Sequence, residues 1–393
     1  MKKDTQIVRG GLNKKRNAGV VNTPVVRAST VIFESVAAMH EADERVMKKR
    51  EKILYYGRRG TPTHWTLQEA ITALAGGADT VLAPSGLAAC TFAILGSVKT
   101  GDHILVTDSV YGPTRNFCTG FLKSFGVETT FYDPLIGAGI AALMKPNTTL
   151  VFCESPGSLT FEVQDIPAIA AAAHKHGAKV AVDNTWASPV FCQPLALGAD
   201  LSIEAGTKYI VGHSDALIGT ITGTAEAIIG VQKAAGSIGS AVSPDDTYLA
   251  TRGLRTLGVR LARHQENALK VARWLEGRPG IGRVLYPALP DDPGHALWKR
   301  DFSGASGLLG VVFKKTSDAA VAALIDGLEL IPLGYSWGGF ESLVALASPS
   351  GGRTAKPWTA PEPGIRLHIG LEDPEDLIAD LDKGLNRFQK LLG

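Results

Sequence analysis

An aspartate and a lysine stand at the ends of two successive apolar runs. Lys179-Val-Ala-Val-Asp183 is short and β-branched, so it reads as an interior parallel strand with Asp183 at its carboxyl end. Asp200-Leu-Ser-Ile203 has the same form, and Lys208 follows it in Glu204-Ala-Gly-Thr-Lys208. Ligands of open α/β sheets bind outside the carboxyl ends of the strands. Ser85, Gly86 and Leu87 follow another apolar run and open a small-residue helix. Backbone N–H groups and the Ser85 hydroxyl at such a helix start can receive a phosphate, although Ser-Gly there also serves as a simple cap. Thr207, beside the lysine, can add a hydroxyl. Tyr111, in Ser109-Val-Tyr-Gly-Pro113, falls on the same rim, where its ring can cover a flat ligand. Tyr56 and Arg58, in Tyr55-Tyr-Gly-Arg-Arg-Gly, precede the first domain helix, and Arg58 carries the fork of donors that suits a phosphate.

An amine, a carboxylate and a phosphate cradle on one sheet edge match one cofactor in particular. Pyridoxal phosphate has an aldehyde that forms a Schiff base with a lysine and a ring nitrogen that needs an acidic partner. From the Asp183 and Lys208 segment alone, a structural ion pair is equally consistent. Arg366 interrupts the apolar run Ile365-Arg-Leu-His-Ile369, which is costly unless an anion pairs with it. That anion is a substrate carboxylate or an internal Asp or Glu. His368, two residues on, shares its face and reads as structural.

A second reading of another class rests on Gly334-Tyr335-Ser336-Trp337-Gly338, which matches the G-x-S-x-G elbow of serine hydrolases. His368 can follow Ser336 in the required order, but only Glu341 and Glu362 lie between them. No P-loop, G-x-G-x-x-G after a strand, or H-E-x-x-H occurs. Cys90, Cys118, Cys153 and Cys192 form no C-x-x-C pair and read as buried reduced thiols, so no metal site is expected.

The elements that must place these residues follow from the patterning. At 393 residues the chain is long enough for two domains. Its 40 Lys and Arg against 38 Asp and Glu leave a net charge of +2, which points away from nucleic acid and anionic membrane. There is no apolar leader or run of ~20 apolar residues, so a cytoplasmic address is expected. Residues 1–58 lack apolar positions for a core of their own and read as an arm that docks on a second subunit. Helical character is expected over 40–52 and 65–74. From Asp79 short apolar runs alternate with helices: 80–83, 103–107, 128–132, 149–153, 179–183, 200–203 and 216–222. This gives about seven strands of a mostly parallel α/β domain over 59–253. Ser243-Pro244 opens a helix whose apolar spacing continues to Gly277. The remainder, 254–393, reads as a smaller α+β domain with strands 308–313, 328–333 and 365–369, a Ser317-capped helix and a final helix 374–392.

The stretches YGRRG, PSGLAA, VDNTWA, TKYIVGHSDA, TRGLRTLGVR, GYSWGGFES and RLHIGLED occur in the order found in the cysteine and methionine metabolism family of pyridoxal-phosphate enzymes. The chain resembles this fold-type I group, which includes cystathionine lyases and synthases, from about Tyr55 to the C-terminal helix. The resemblance implies Lys208 as the Schiff-base lysine, Asp183 as partner of the ring nitrogen and Tyr111 as the stacking ring. It also implies Ser85, Gly86, Leu87 and Thr207 as the phosphate cradle, and Arg366 with Ser336 as the seat of the substrate carboxylate. Tyr56 and Arg58 match a pair donated by the adjacent subunit, within a homotetramer of two dimers that share active sites. Ala205 stands where many relatives have serine, Ser158 where they often have Asn, and Tyr335-Ser336-Trp337 replaces their Glu-Ser-Leu. These departures, with TRGLRTLGVRL and WKRDFSG, resemble the β-eliminating members, in which Tyr335 and Trp337 would shape the distal pocket. The implied substrate is L-cystathionine and the products homocysteine, pyruvate and ammonia. Cystathionine or methionine γ-elimination, or a broader cysteine-S-conjugate β-elimination, is the alternative.

Overall fold

The computed structural model describes residues 1–392. The chain begins with α1 (Lys3–Arg9), α2 (Val36–Met47) and α3 (Pro62–Ala75). The strands β1 (Asp79–Ala83), β2 (His103–Thr107), β3 (Glu128–Tyr132), β4 (Thr148–Glu154), β5 (Lys179–Asp183), β6 (Leu201–Glu204) and β7 (Gly219–Gly223) follow. Interspersed with them are α4 (Gly86–Leu95), α5 (Gly112–Phe117), α6 (Ile166–Lys175), α7 (Ser188–Phe191) and α8 (Ala227–Ser237). They form one sheet in the order β1-β7-β6-β5-β4-β2-β3, in which β7 runs antiparallel to both its neighbours and the other pairings are parallel. Its interior strands are buried on both faces, as the apolar runs of β2, β4 and β5 demand, while β6 and β7 bury Ser202, Glu204, Thr220 and Thr222 among them.

The second half comprises α9 (Pro244–Leu254), α10 (Leu257–Glu276), β8 (Ile281–Leu285), α11 (His295–Asp301), β9 (Leu308–Phe313), α12 (Asp318–Ile325), β10 (Leu343–Ala347), β11 (Gly364–His368) and α13 (Pro374–Leu392). Its strands form an antiparallel sheet in the order β10-β11-β9-β8. α10 bridges the two halves, because Leu257 and Leu261 pack with α3 while Ala268, Val271 and Leu275 enter the core of the second sheet.

Three expectations are corrected here. The continuous helix from Ser243 to Gly277 is two helices. Gly253 lies so close to the Val211 carbonyl that a Cβ would come within 2.2 Å of it. Arg260 donates to Gly253 O at 2.8 Å and to Thr256 Oγ1 at 3.1 Å, closing the end of α9. The strand expected at 328–333 is a loop bound to a side chain: the N–H groups of Glu329 and Leu330 donate to the Asp380 carboxylate at 2.8–3.1 Å. Only Leu333 makes a bridge, to Val344. The first part of the 1–58 arm docks on its own chain. Ile7, 2% exposed, packs among Leu67, Ile71 and Leu257, and Arg255 donates to Ile7 O at 2.9 Å.

Candidate active site

The register of the large sheet sets Glu154, at the end of β4, beside Asp183, at the end of β5. Asp183 is buried, and burial raises its pKa. Its Oδ1 accepts from the Thr185 N–H at 3.0 Å and the Thr185 hydroxyl at 2.5 Å, and its Oδ2 accepts only from the Cys90 thiol, at 3.5 Å. The Glu154 carboxyl is pushed well up by burial and then by the charge of Asp183, and it accepts from the backbone N–H of Tyr111 at 2.7 Å. Glu154 carries the same strand-end signal as Asp183, but the sequence reading ends that strand at Cys153 and passes over it.

Lys208 lies in the turn after β6. Its Nζ donates to Ser336 Oγ at 2.6 Å and stands 5.3 Å from the centroid of the Trp337 ring. Burial, then the nearby Arg366 guanidinium, lowers the amine to about 8, while Asp183 acts in the opposite direction. Asp183 therefore influences Lys208 without an ion-pair contact, which removes the structural ion-pair reading. Arg366, on β11, donates from Nη2 to Ser336 O at 3.1 Å. It is largely buried and has no carboxylate partner among the described residues, so the internal Asp or Glu entertained for it is absent. A buried guanidinium in that state calls for an anion from outside.

Ser85 is the N-cap of α4, and its hydroxyl accepts from Ala88 N at 3.1 Å. Gly86 sits so close to Ala205 that a Cβ would come within 2.3 Å of the alanine methyl. Ser85, Gly86 and Leu87 thus present the start of α4 to the turn that carries Lys208. The Thr207 hydroxyl is taken up by that turn itself, donating to Ile218 O at 3.2 Å and accepting from Ile218 N at 2.9 Å. Tyr111 is 45% exposed, and its hydroxyl is raised by burial and then by Cys90, Glu154 and Asp183, with Arg366 acting against them.

A cavity of about 490 Å³ opens beside these groups, lined by Thr207, Ser336, Trp337, Tyr335, Asp246 and Glu341. Tyr335 is 98% exposed at its mouth, whereas Trp337 packs on Tyr209, ring centroids 5.5 Å apart. Tyr56 and Arg58 are not brought to Lys208. Arg58 lines a second cavity, of about 540 Å³, with Trp65 and Gly236, and its guanidinium stands 5.9 Å from the Tyr56 ring.

The hydrolase reading fails on geometry. Ser336 bonds to Lys208, and His368 donates to Gly339 O at 3.1 Å. No helix follows Ser336; the next element is β10. Among the described residues no cluster of His, Cys, Asp or Glu could hold a metal ion, and no helix is long and apolar enough to cross a membrane. The donor set fits pyridoxal phosphate. A buried carboxylate with one oxygen served only by a thiol suits a protonated ring nitrogen, a largely buried amine suits the aldehyde, and the start of α4 suits the phosphate.

Comparison with known proteins agrees. The family model described as Cys/Met metabolism PLP-dependent enzyme matches residues 4–386. The chain is 47% identical to the cystathionine beta-lyase of Escherichia coli strain K12, covering 98% of this chain and 99% of that one. It is 45% identical to the cystathionine beta-lyase of Salmonella typhimurium strain LT2, covering 98% of each. The solved structure of cystathionine gamma synthase from Xanthomonas oryzae pv. oryzae superposes with a TM-score of 0.90 at 33% identity, covering 99% of both chains.

Proposed function

The chain belongs to the Cys/Met metabolism family of PLP-dependent enzymes, and on that premise we propose that it is a cystathionine β-lyase, which cleaves L-cystathionine to homocysteine, pyruvate and ammonia. One observation carries the reading: Lys208, lowered to about 8, shares Ser336 with a largely buried Arg366 that lacks an anion. Amine, hydroxyl and guanidinium converge where an amino-acid substrate would place its α-carbon and carboxylate.

Asp183 would hold the ring nitrogen, the start of α4 with Ser85, Gly86 and Leu87 would hold the phosphate, and Tyr111 would cover the ring. Thr207 shapes the Lys208 turn beside the phosphate, and its hydroxyl would serve a phosphate oxygen by turning its hydrogen away from Ile218 O. Bound pyridoxal phosphate supplies an aldehyde carbon for amines and a ring that takes up the electron pair released at Cα. Arg366 and Ser336 fix the α-carboxylate and so orient the Cα–H bond. With its pKa near neutrality, the Lys208 Nζ takes the Cα proton and returns one to the departing sulfur. The buried surroundings of Asp183 keep water from competing for its carboxylate. Trp337 and Tyr335 form the distal wall of the substrate cavity, and Ala205 lets Gly86 approach. Tyr56 and Arg58 complete the site of a neighbouring subunit, in a cytoplasmic homotetramer built of two dimers.

The test is spectroscopic and chemical. The purified protein loaded with pyridoxal phosphate is expected to be yellow, to bleach with borohydride, and to release pyruvate from L-cystathionine. Lys208→Ala should lose both the bleachable colour and turnover. Release of 2-oxobutyrate would reassign the chain to γ-elimination, and a colourless, inactive protein would overturn the proposal.

A further inference from the structure

The turn that carries Ser336 is bolted to one short segment, the end of β11 and the residues after it. Arg366 donates to Ser336 O at 3.1 Å. His368, on the same face of β11, meets Gly339 O with its Nε2 at 3.1 Å. Leu371 N donates to Phe340 O at 2.8 Å. Glu372 accepts from the Ser342 N–H at 2.7 Å and the Ser342 hydroxyl at 2.9 Å, and that hydroxyl accepts from Gly370 N at 2.8 Å.

This turn needs holding. Ser336 has φ +81°, a left-handed conformation that costs about 1–3 kcal/mol in a non-glycine residue and persists only where its surroundings impose it. Gly338 has φ +88° and lies so close to the Lys208 backbone that a Cβ there would be 2.9 Å from its Cα. A shift of the 336–339 backbone therefore changes the relation of Ser336 to both Lys208 and Arg366. His368 is 1% exposed, with its ring 5.9 Å from Tyr209 and 5.1 Å from His264. A carbonyl can only accept, so Nε2 carries the ring proton, and Nδ1 has no partner. Burial, then His264, disfavours a second proton and lowers the imidazole to about 3.

We propose that His368 is a positioning residue for the reaction: its Nε2–H holds the Gly339 carbonyl and so keeps the Ser336–Gly338 turn in register with Lys208 and Arg366. The seat of the substrate α-carboxylate then depends on a side chain that never touches substrate. The inference rests on the lyase reading for its kinetic consequence, but its structural part stands apart from it.

The experiment compares His368→Gln with His368→Asn. Glutamine can place an N–H near the position of the imidazole Nε2, whereas asparagine falls short. Four quantities are read: KM and kcat for L-cystathionine, the melting temperature, and backbone hydrogen exchange over 336–340 in cofactor-free and cofactor-loaded protein. His368→Asn is expected to raise KM about tenfold, with a smaller effect on kcat, and to speed exchange over 336–340. His368→Gln should restore both to within about threefold of the parent. Equal behaviour of the two variants, or a loss that follows melting temperature alone, overturns the proposal. If His368→Asn does not fold, Glu372→Gln loosens the same turn through Ser342 and should show the same rise in KM and exchange; unchanged values overturn the proposal. A parent protein that makes no pyruvate would count against the lyase reading, while the exchange comparison would still decide the role of His368.

Discussion

Burial and the Arg366 guanidinium bring the Lys208 amine from 10.5 to about 8, so it changes charge where most lysines stay protonated. The folded state therefore binds this proton less tightly than the unfolded chain. Between about pH 8 and the unfolded value near 10.4, the unfolded chain keeps a proton that the folded chain has shed, and stability rises with pH across that window. Below it both states are charged and the full penalty applies. The unfolding free energy of the cofactor-free protein, measured by denaturant titration against Lys208→Met, should move in favour of the parent between about pH 8 and 10. A flat difference would show an unperturbed amine. Asp183→Asn preserves the shape but removes the charge, and a loss of about 10²–10⁴-fold in kcat is expected for a group that stabilises the reacting state electrostatically. Asp183, Lys208 and Arg366 were legible because each is a charge against an apolar run. Thr185 and Cys90, which hold the Asp183 carboxylate, have ordinary sequence neighbours, and only the fold brings Cys90 within 3.5 Å of it. The engagement of the Thr207 hydroxyl with Ile218 depends on a pairing that spacing does not reveal.

At the scale of elements, the site rests on the docking of α4 against the turn after β6. Because a Cβ at Gly86 would fall 2.3 Å from the Ala205 methyl and 3.0 Å from its Cα, Gly86→Ala must push the start of α4 away from Lys208. Cofactor affinity, measured by fluorescence titration, is expected to fall at least about tenfold, since the helix terminus and its capped N–H groups move with it. An unchanged affinity would separate α4 from phosphate binding. The central large-domain strands β2, β4 and β5 were readable because they are largely buried and mostly apolar, whereas the edge strand β3, Glu-Thr-Thr-Phe-Tyr, is partly exposed and β7 is rich in Gly and Thr. In the second sheet, the interior strands β9 and β11 were found, and the strands overlooked, β8 and β10, are its two edges. β8 exposes Gly282 and Arg283 in succession, and β10 exposes Leu346. Neither presents a clean buried run or a strict alternation. The apolar stretch Leu328–Leu333 imitates a strand, but Asp380 of α13 captures its N–H groups before a ladder can.

At the scale of the whole molecule, residues 24–58 remain the part of the chain least accounted for by its own core. α1 is anchored by Ile7, yet Ile32 is 92% exposed, Val36 67% and Met47 56%. Apolar side chains spread along one segment in this way suit a covered surface. Arg58, at the end of that segment, lines a cavity apart from Lys208, with Tyr56 beside it, so in a single chain neither meets the phosphate site proposed beside Lys208. If they serve the adjacent subunit, two disabled chains should rescue each other. Lys208→Ala leaves Arg58 intact, Arg58→Ala leaves Lys208 intact, and in a hybrid dimer one of the two sites regains both. Half of randomly paired dimers are hybrids, so co-expression of the two variants should recover about a quarter of the parent activity, while each variant alone stays near its own floor. Recovery would require that the arm cross between subunits, since no exchange of side chains within one chain can produce it. Activity equal to the average of the two variants would mean that each chain completes its own site, and Arg58 would then belong to the wall of the second cavity alone.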